Sequence, residues 1–316
     1  MTAVTGGTGF IGAHLIEKLV GMGEPVRALV RHEYAFGKGV ETVRGDLAKG
    51  EGIDELLRGA HTVIHLAGVT KALRREDYYA GNMRATENLA QAIAGKRVRF
   101  VHVSSLAAAG PGDRGKPVTE DAEPRPVSDY GRSKLEAERA VRKLLPDATI
   151  VRPPVVYGPR DRDVFQLLKS IAKGMVLEIA GGERRFSAIY VEDLCQGLIA
   201  AARSPRAAGR TYFLAHPKAL SWSEFGAAAA RIIGRTPRVI KLPVAVAYAA
   251  GGCAEVWARI SGKPGILSRD KIREASCANW VCDTRRASEE LGFTATTAIE
   301  EGLRETIAWY RSEKWL

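Results

Sequence analysis

Thr5-Gly6-Gly7-Thr8-Gly9-Phe10-Ile11-Gly12 joins a short apolar segment to a stretch whose apolar residues recur at every fourth position. Its glycines have the spacing G-x-x-G-x-x-G. The first glycine allows a tight turn, the second a close approach of the backbone to a pyrophosphate, and the third close packing of a helix on a sheet. The free N–H groups at the start of such a helix attract phosphate. The segment therefore predicts a dinucleotide-binding turn, with cofactor contacts from Gly6, Thr8, Gly9, Phe10, Ile11 and Gly12.

Strand and helix patterns alternate, with short connections, over the first half of the chain. Strands are predicted at Thr2–Val4, Val26–Val30, Val40–Val43, Thr62–Leu66, Arg99–Val103 and Thr149–Arg152. Helices are predicted at Phe10–Val20, Ile53–Arg58, Tyr79–Ile93 and Asp129–Leu145. The central strands are mostly apolar, as expected for strands buried on both faces of a parallel sheet. This order is typical of the α/β class, with a doubly wound parallel sheet of the Rossmann type.

The pattern changes after Arg152, where Pro153 and Pro154 end the last of these strands. We expect residues 1–152 to form a dinucleotide-binding domain. A strand-like stretch at Thr211–Leu214 predicts that residues 187–215 return to its sheet. Residues 153–186 and 216–316 then form a smaller, partly discontinuous substrate-binding or lid region.

The composition excludes several classes of protein. The chain has 316 residues and a formal net charge of +11, but Lys and Arg are dispersed without a basic run interleaved with aromatics, so no nucleic-acid partner is expected. The apolar stretch Leu242–Ala254 is too short to span a bilayer, and no signal-peptide pattern precedes the first strand. The four cysteines form no C-x-x-C and the six histidines are isolated, so no metal site is expected. A cytoplasmic protein with a small-molecule substrate is the simplest prediction.

Tyr130 and Lys134 have the spacing Y-x-x-x-K, which places a phenol and an ammonium on one face of a helix. The same spacing occurs at 34–38, in a glycine-containing loop, and at 310–314, in a C-terminal end expected to fray. Position therefore decides among the three pairs. Only 130–134 follows the strand Arg99–Val103, which ends in Ser104 and Ser105 at the carboxyl edge of the sheet, where ligands bind in such folds.

This set of residues suits proton and hydride transfer. A free phenol has a pKa of about 10. An ammonium about 4 Å away, at an effective dielectric near 20, contributes about 4 kcal/mol, or about three pKa units. We therefore expect Lys134 to bring the pKa of Tyr130 close to neutrality, where an acid–base catalyst works best. Tyr130 then exchanges a proton with a substrate oxygen that Ser105 polarises, while a hydride moves to or from nicotinamide C4 and Lys134 binds the nicotinamide ribose.

Arg31 ends the second predicted strand region, 19 residues after Gly12. NAD-preferring sites usually place an acidic residue there to bind the ribose 2′-hydroxyl. A guanidinium suits a 2′-phosphate instead, so NADP(H) is favoured over NAD(H) as cofactor. Glu33 is the rival acidic contact. Asp46 follows the third predicted strand, and we expect it to lie near the adenine of the bound cofactor. The alternative interpretation is an ordinary turn aspartate.

The sequence resembles the extended short-chain dehydrogenases/reductases, a superfamily that includes nucleotide-sugar epimerases and dehydratases, dihydroflavonol reductases and 3β-hydroxysteroid dehydrogenases. The resemblance covers nearly the whole chain. It is carried by TGGTGFIG at 5–12, DL at 46–47, HLAG at 65–68, VSSLAAAG at 103–110, YGRSK at 130–134, RPPVVYGP at 152–159, YVEDL at 190–194, CDTRRASEELGF at 282–293 and GLRETIAWY at 302–310.

The resemblance implies roles for individual residues. The catalytic residues are Ser105, Tyr130 and Lys134, with Ser104 as the second choice for the serine, and Asn82 is the family's helix asparagine. Besides the glycine turn, Tyr130, Lys134 and Arg31, the implied cofactor contacts are Asp46, Leu47, Ala67, Gly68, Pro153, Pro154 and Val155. Members of the superfamily are commonly dimers, so a homodimer is expected.

Two departures narrow the subfamily. Nucleotide-sugar epimerases usually carry an arginine for the sugar diphosphate just before the stretch that matches 189–193. The aligned residue here is Phe186, with Arg184 and Arg185 as the alternatives under a one-residue shift. The segment Val26–Arg31 is similar to the NADP-binding strand of dihydroflavonol-reductase-like enzymes. Together these favour a reductase or dehydrogenase of ketones or secondary alcohols over a nucleotide-sugar epimerase or dehydratase. The third hypothesis, a non-catalytic NADP(H) sensor, is disfavoured by the intact triad.

The segment Pro243–Ile260 consists mostly of Ala, Val, Tyr and Trp. Its composition favours an ordinary buried helix. The alternative is an apolar wall for a hydrophobic substrate such as a sterol, terpenoid or flavonoid, which is then reached from a membrane surface.

Overall fold

The computed structural model describes residues 1–263, 265 and 267–316. Elements of the first half alternate between strand and helix in the order β1 (Thr2–Thr5), α1 (Phe10–Gly21), β2 (Val26–Val30), β3 (Val40–Arg44), α2 (Ile53–Leu57), β4 (Thr62–His65), α3 (Arg75–Tyr78), a π-helical turn (Tyr79–Arg84), α4 (Ala85–Ile93), β5 (Arg99–Val103), α5 (Leu106–Ala109), α6 (Asp129–Leu144) and β6 (Thr149–Val151).

Elements of the second half are shorter and more varied. They follow in the order β7 (Val155–Tyr157), α7 (Val164–Ala172), β8 (Met175–Ile179), β9 (Arg185–Phe186), β10 (Ala188–Tyr190), α8 (Val191–Arg203), a 3-10 turn (Pro205–Ala207), β11 (Thr211–Tyr212), β12 (Leu220–Ser221), α9 (Trp222–Ile233), β13 (Arg238–Leu242), α10 (Val244–Ser261), α11 (Arg269–Ser276), β14 (Asn279–Trp280), α12 (Arg285–Leu291) and α13 (Ile299–Ser312).

Seven parallel strands form the main sheet, in the order β11-β6-β5-β4-β1-β2-β3. The direction of strand addition reverses beside β1, which pairs with β2 on one side and with β4 on the other. Ligands bind at such a switch point, outside the carboxyl ends of the strands. The predicted α/β class with a doubly wound parallel sheet is confirmed, and the strand expected at Thr211–Leu214 adds to the edge of the sheet as β11.

Consecutive residues of the central strands face opposite layers of helices. Ala3 and Val63 belong to an apolar cluster that they share with α2, α4 and α6. Their neighbours Val4 and Ile64 belong to a second cluster, with α1 and α8 on the other face. Because both faces are covered, these strands are mostly apolar and do not alternate between apolar and polar residues.

The helix predicted at Tyr79–Ile93 begins earlier and is less regular than expected. Helical residues start at Arg75, and the π-helical turn of Tyr79–Arg84 separates α3 from α4. The side chain of Asn82, at the centre of this turn, is fully buried. Turns of this kind frequently mark functional positions, because the extra residue redirects a side chain.

The C-terminal aromatic residues pack onto the core. Tyr310 is fully buried, its hydroxyl donates to the carbonyl oxygen of Asp161 at 2.6 Å, and its ring stacks on that of Trp315. The expectation that the 310–314 pair frays is therefore wrong, because the tyrosine is held in the interior.

The expectation of a buried helix at Pro243–Ile260 is also wrong. Helix α10 forms there, but only the stripe of Ala247, Gly251 and Ala258 is buried. Trp257 and Ile260 are 69% and 73% exposed. The physical reason is that α10 packs mainly on one neighbour, α11, which covers one side of it. No helix in the described part of the chain is both long and apolar enough to cross a membrane.

Candidate active site

A cavity of about 1370 Å³ runs along the carboxyl edge of the main sheet. Cavities for a single small ligand usually have about 300–1000 Å³, so this one has room for a dinucleotide and a second molecule. Thirteen of the predicted catalytic and cofactor-binding residues line it, namely Gly6, Thr8, Gly9, Phe10, Ile11, Gly12, Gly68, Ser105, Tyr130, Lys134, Pro153, Pro154 and Val155, and so does Ser104, the second choice for the serine.

The glycine turn has two positions, Gly6 and Gly12, at which only glycine fits. Gly6 has φ +74°, and a Cβ added there lies 2.6 Å from the backbone nitrogen of Ala67. A Cβ added at Gly12 lies 2.2 Å from the carbonyl oxygen of Gly6. Within the described residues no side chain caps the start of α1, and its first turn holds no acidic residue. Its free N–H groups therefore fit the pyrophosphate of a dinucleotide.

Asn82 fixes the loop that follows β4 against α6. Its Oδ1 accepts from the backbone N–H of Val69 at 2.7 Å, and its Nδ2 donates to the Val69 carbonyl at 3.0 Å and to the hydroxyl of Ser133 at 2.8 Å. A Cβ added at Gly68 lies 2.9 Å from the same Oδ1. The π-helical turn thus positions one wall of the cavity next to the helix that carries Tyr130 and Lys134.

Ser105 and Tyr130 each lie at the start of a helix. The Ser105 side chain caps α5, accepting from the N–H of Ala107 at 3.1 Å. The start of α6 is capped by Ser128, which accepts from the N–H of Gly131 at 2.9 Å. A Cβ added at Gly131 lies 2.3 Å from the carbonyl oxygen of Ala107, so the two helices approach closely. This contact brings the serine and tyrosine hydroxyls to the same wall.

Lys134 lies one turn further along α6 and is buried. Its ammonium donates to the carbonyl oxygen of Val103, at the end of β5, at 2.8 Å. Burial lowers the pKa of Lys134 to about 8, and the Glu138 carboxylate opposes this shift. The lysine therefore remains largely protonated at pH 7 and holds a positive charge at the edge of the sheet.

The expectation that Lys134 brings the pKa of Tyr130 close to neutrality is wrong, because the surroundings of the phenol raise its pKa above the ordinary value. Burial raises the pKa of Tyr130, and the strongest influence that lowers it is the charge of Lys271, followed by a hydrogen bond with Ser105. Lys271 Nζ lies 5.4 Å from the centre of the Tyr130 ring. Since Lys134 is directed at a backbone carbonyl, Lys271 is the main acidifying cation in this structure.

Lys271 and Glu274 are cavity residues that sequence reasoning missed. Lys271 donates to Glu274 at 3.0 Å, and Glu274 accepts from the hydroxyl of Ser128. One turn earlier on α11, Asp270 accepts from the backbone N–H of Asp129 at 2.6 Å. The start of α11 is thus docked on the start of α6. No local sequence motif predicts this contact, because it joins segments that lie far apart in the chain.

The cavity wall at β9 is aromatic. Phe186 stacks on Trp222 with ring centres 4.0 Å apart, and both line the cavity. The Arg184 guanidinium donates to the carbonyl oxygen of Ala180 at 2.9 Å, and that of Arg185 donates to the carbonyl oxygen of Ala219 at 3.0 Å. Among the described lining residues are Phe186 and Trp222, but neither of the two arginines nor any residue of α10.

Arg31 lies at the end of β2, outside the described residues that line the cavity. Its side chain is exposed, and no ion pair involves it within residues 1–263, 265 and 267–316. The following loop does line the cavity, with Tyr34 and Phe36 in contact at 4.6 Å between ring centres. The guanidinium is therefore available near the entrance formed by this loop.

Three further predicted cofactor contacts lie outside the described cavity lining. Asp46 Oδ1 accepts from the N–H of Ala48 at 2.9 Å, which is the role of a turn aspartate. Leu47 is buried among the residues of α2 and α4. The backbone N–H of Ala67 donates to the hydroxyl of Thr5 at 3.3 Å.

Comparisons with known proteins agree with this geometry. The chain is 32% identical to the ceramide reductase of Caulobacter vibrioides, over 100% of this chain and 96% of that protein. It is 31% identical to the 4-hydroxy-2-methyl-3-oxo-4-farnesyl-3,4-dihydroquinoline-1-oxide ketoreductase of Stigmatella aurantiaca, over 96% and 94% of the two chains. The solved structure of MoeE5 in complex with UDP-glucuronic acid and NAD superposes with a TM-score of 0.80, at 26% identity and 99% coverage of each chain. Since residues 2–215 also match its sequence pattern, the chain belongs to the NAD-dependent epimerase/dehydratase family, within the extended short-chain dehydrogenases/reductases.

Proposed function

We propose that this enzyme interconverts a ketone and a secondary alcohol on a hydrophobic substrate, with NADP(H) as cofactor. The observation that carries the proposal is the arrangement of Ser105, Tyr130 and Lys134 at the carboxyl edge of the sheet, in one cavity with the glycine turn. In this arrangement a proton donor, a hydrogen-bond donor and a fixed positive charge converge where a nicotinamide and a carbonyl compound both have room.

The chain's own residues supply the proton chemistry, while the bound nicotinamide supplies or accepts the hydride. The Tyr130 hydroxyl gives its proton to the substrate oxygen in reduction and recovers it in oxidation. The Ser105 hydroxyl donates a hydrogen bond to the same oxygen and stabilises the charge that develops there. Lys134 and Lys271 keep positive charge near this oxygen, and the buried surroundings strengthen their effect.

The lining favours an apolar substrate over a sugar diphosphate. The stacked Phe186 and Trp222 occupy the wall where a nucleotide-sugar epimerase needs a cation, and Arg184 and Arg185 are directed to backbone carbonyls. Two relatives, named for the reduction of a ceramide and of a farnesylated ketone, support the same substrate class. We assign the substrate side to residues 153–186 and 216–316, and the cofactor side to residues 1–152 with 187–215.

The preference for NADP(H) rests on Arg31. The residue follows β2, where the ribose 2′ position of a bound dinucleotide is expected, and it is exposed. A guanidinium there forms charge-assisted hydrogen bonds to a 2′-phosphate. Glu33, also exposed, is the residue that favours NAD(H) if the loop presents it instead.

The experiment compares wild type with Tyr130→Phe, using NADPH and NADH, on long-chain ketones, sterols, flavanonols and UDP-sugars. We expect the variant to lose a factor of about 10² to 10⁴ in turnover while its affinity for NADPH is unchanged. Conversion of a UDP-sugar without net consumption of NADPH assigns the epimerase function instead. A variant that retains every activity of the wild type contradicts catalysis by Tyr130.

A further inference from the structure

Helix α10 exposes an apolar face. Its buried stripe of Ala247, Gly251 and Ala258 leaves the remaining sides open, and there Trp257 and Ile260 are 69% and 73% exposed. Further exposed apolar residues of this helix are Val244, Val246 and Val256. Exposed apolar residues scattered singly are normal, but a helix face made of them indicates a docking surface.

The two-stranded sheet that precedes α10 has an exposed apolar face as well. In the parallel pairing of β8 with β13, Leu177 lies beside Ile240 and Met175 lies beside Arg238. Because side chains alternate along a strand, Met175 and Leu177 share the face opposite the buried Val176. Leu177 is 61% exposed. Pro243 links this sheet directly to α10.

The charges around these faces are mostly positive. The segments that form them, residues 173–179 and 235–263, contain six basic and two acidic residues; of the acidic ones, Glu178 lies beside Lys241 in the register of β8 with β13, and the other is Glu255. That carboxylate is paired with Arg269 at 2.8 Å. The basic residues Arg238, Arg259 and Lys263 are exposed and form no ion pair within residues 1–263, 265 and 267–316. The apolar faces therefore have a cationic rim.

Helix α10 packs on the helix that lines the cavity. Glu255 of α10 binds the guanidinium of Arg269 at the start of α11, and a Cβ added at Gly251 lies 3.1 Å from the backbone nitrogen of Arg269. Lys271 and Glu274 of α11 line the cavity. A surface that covers α10 is therefore one helix away from the cavity.

We propose that α10 and the β8–β13 sheet dock the enzyme on the surface of an anionic lipid bilayer. Apolar side chains of a helix lying in the interface insert among the acyl chains, while Lys and Arg bind anionic headgroups. A second copy of this chain fits less well, because a symmetric contact sets the cationic rim against itself. This docking places the cavity one helix, α11, away from the bilayer, where a membrane-borne substrate is within reach. The use of the docking for catalysis rests on the proposed function, whereas the binding of the protein to the bilayer does not.

The test is sedimentation of the full-length protein with vesicles, measured without turnover. Wild type is mixed with vesicles of phosphatidylcholine alone and of phosphatidylcholine with phosphatidylglycerol. We expect it to sediment with the anionic vesicles and to be released by high salt, because the headgroup contacts are electrostatic. The variant Trp257→Glu/Ile260→Glu is expected to lose at least about tenfold in partitioning. Arg259→Ser/Lys263→Ser is expected to lose the preference for anionic vesicles.

The control is Met22→Glu, which replaces an apolar side chain that is 49% exposed at the end of α1 with one glutamate. It is expected to sediment like wild type. NADPH affinity and the unfolding temperature show whether each variant is folded. The proposal is overturned if wild type sediments with neither vesicle, or if the double glutamate variant sediments like wild type. It is equally overturned if light scattering shows that wild type is a dimer that binds no vesicles, whereas the double glutamate variant is a monomer.

Discussion

The ammonium of Lys271 lies 5.4 Å from the centre of the Tyr130 ring. Lys271 belongs to α11 in the second half of the chain, whereas Tyr130 belongs to the first half. The docking of α11 on α6 therefore brings the charge that most lowers the pKa of the proposed acid–base residue. The pKa of Tyr130 therefore depends on a contact between distant segments as well as on its hydrogen bond with Ser105.

Removing this charge should shift the pH dependence of turnover. In Lys271→Met/Glu274→Gln, which removes both partners of the ion pair, the pKa of Tyr130 rises further, because Lys271 lowers this pKa more strongly than the Glu274 carboxylate raises it. We expect the pH at which alcohol oxidation reaches half its maximal rate to rise by about one unit, equivalent to about tenfold slower oxidation below it. The pH profile of kcat measures this.

Lys71→Met serves as the matched control, because Lys71 also lines the cavity but pairs with Asp163. Its pH profile should coincide with that of wild type. An unchanged profile in the Lys271→Met/Glu274→Gln variant contradicts the assigned role of Lys271.

Much of the fold is predictable from the sequence because its signals are local. The strands β1, β2, β4 and β5 are buried on both faces, so each is an apolar run whose position is predicted to within one residue. The glycine turn and the Tyr130–Lys134 spacing are local as well. Lys271 and the Phe186–Trp222 pair are not predictable in this way, since only tertiary docking brings them to the cavity.

For helix α10, the prediction of burial from the sequence is wrong, because most of the helix is exposed. Its apolar composition predicts burial, because composition records what a side chain prefers and not what the rest of the chain covers. In the structure α11 covers only the stripe with Ala247, Gly251 and Ala258. The π-helical turn at Tyr79–Arg84 could not be predicted either, because a helical period of 3.6 residues does not distinguish it from a regular α-helix.

Arg31→Ser tests the cofactor preference. Loss of a charge-assisted contact with the 2′-phosphate costs about 1.5–3 kcal/mol, so the Kd for NADPH should rise by about 10- to 100-fold. The Kd for NADH should not change, because its 2′-hydroxyl gains little from a guanidinium. Titration of each dinucleotide measures both values. Arg58→Ser is the control, since Arg58 is exposed and lies before β4, at the amino edge of the sheet. Equal affinity of wild type for both dinucleotides removes the argument from Arg31.

The buried pair of Glu138 and Arg152 should be essential for stability. Nε and Nη2 of Arg152 donate to Oε1 and Oε2 of Glu138 at 2.9 and 2.6 Å. This pair links α6 to the residue that follows β6. Glu138→Gln leaves a buried guanidinium without its counter-charge, which costs about 3–5 kcal/mol in the free energy of unfolding. Glu138→Leu/Arg152→Met should recover most of this loss, because it removes both charges. Urea unfolding measures the free energies, and a single variant as stable as wild type refutes the assignment.

The buried histidines behind the cavity should make stability depend on acid pH. His65 lies between the hydroxyls of Thr5 and Thr86 at 2.6 and 2.9 Å, and burial, aided by the charge of Lys134, lowers its pKa to about 3. Burial likewise lowers the pKa of His102, whose ring stacks on His65 at 5.4 Å. In the unfolded chain both have a pKa of about 6.5, so the unfolded state takes up protons first as the pH falls.

Stability is therefore complete above pH ~6.5 and declines below it, by up to about 1.4 kcal/mol per pH unit for each histidine. Urea unfolding at pH 7, 6 and 5 measures this slope. In His102→Gln the slope should fall by about half of the contribution of the two histidines. The variant is expected to be less stable at every pH, but the slope depends only on how the free energy of unfolding differs between pH values. His32→Gln, at an exposed position, should retain the wild-type slope. Identical slopes in His102→Gln and wild type show that His102 does not remain neutral in the folded protein.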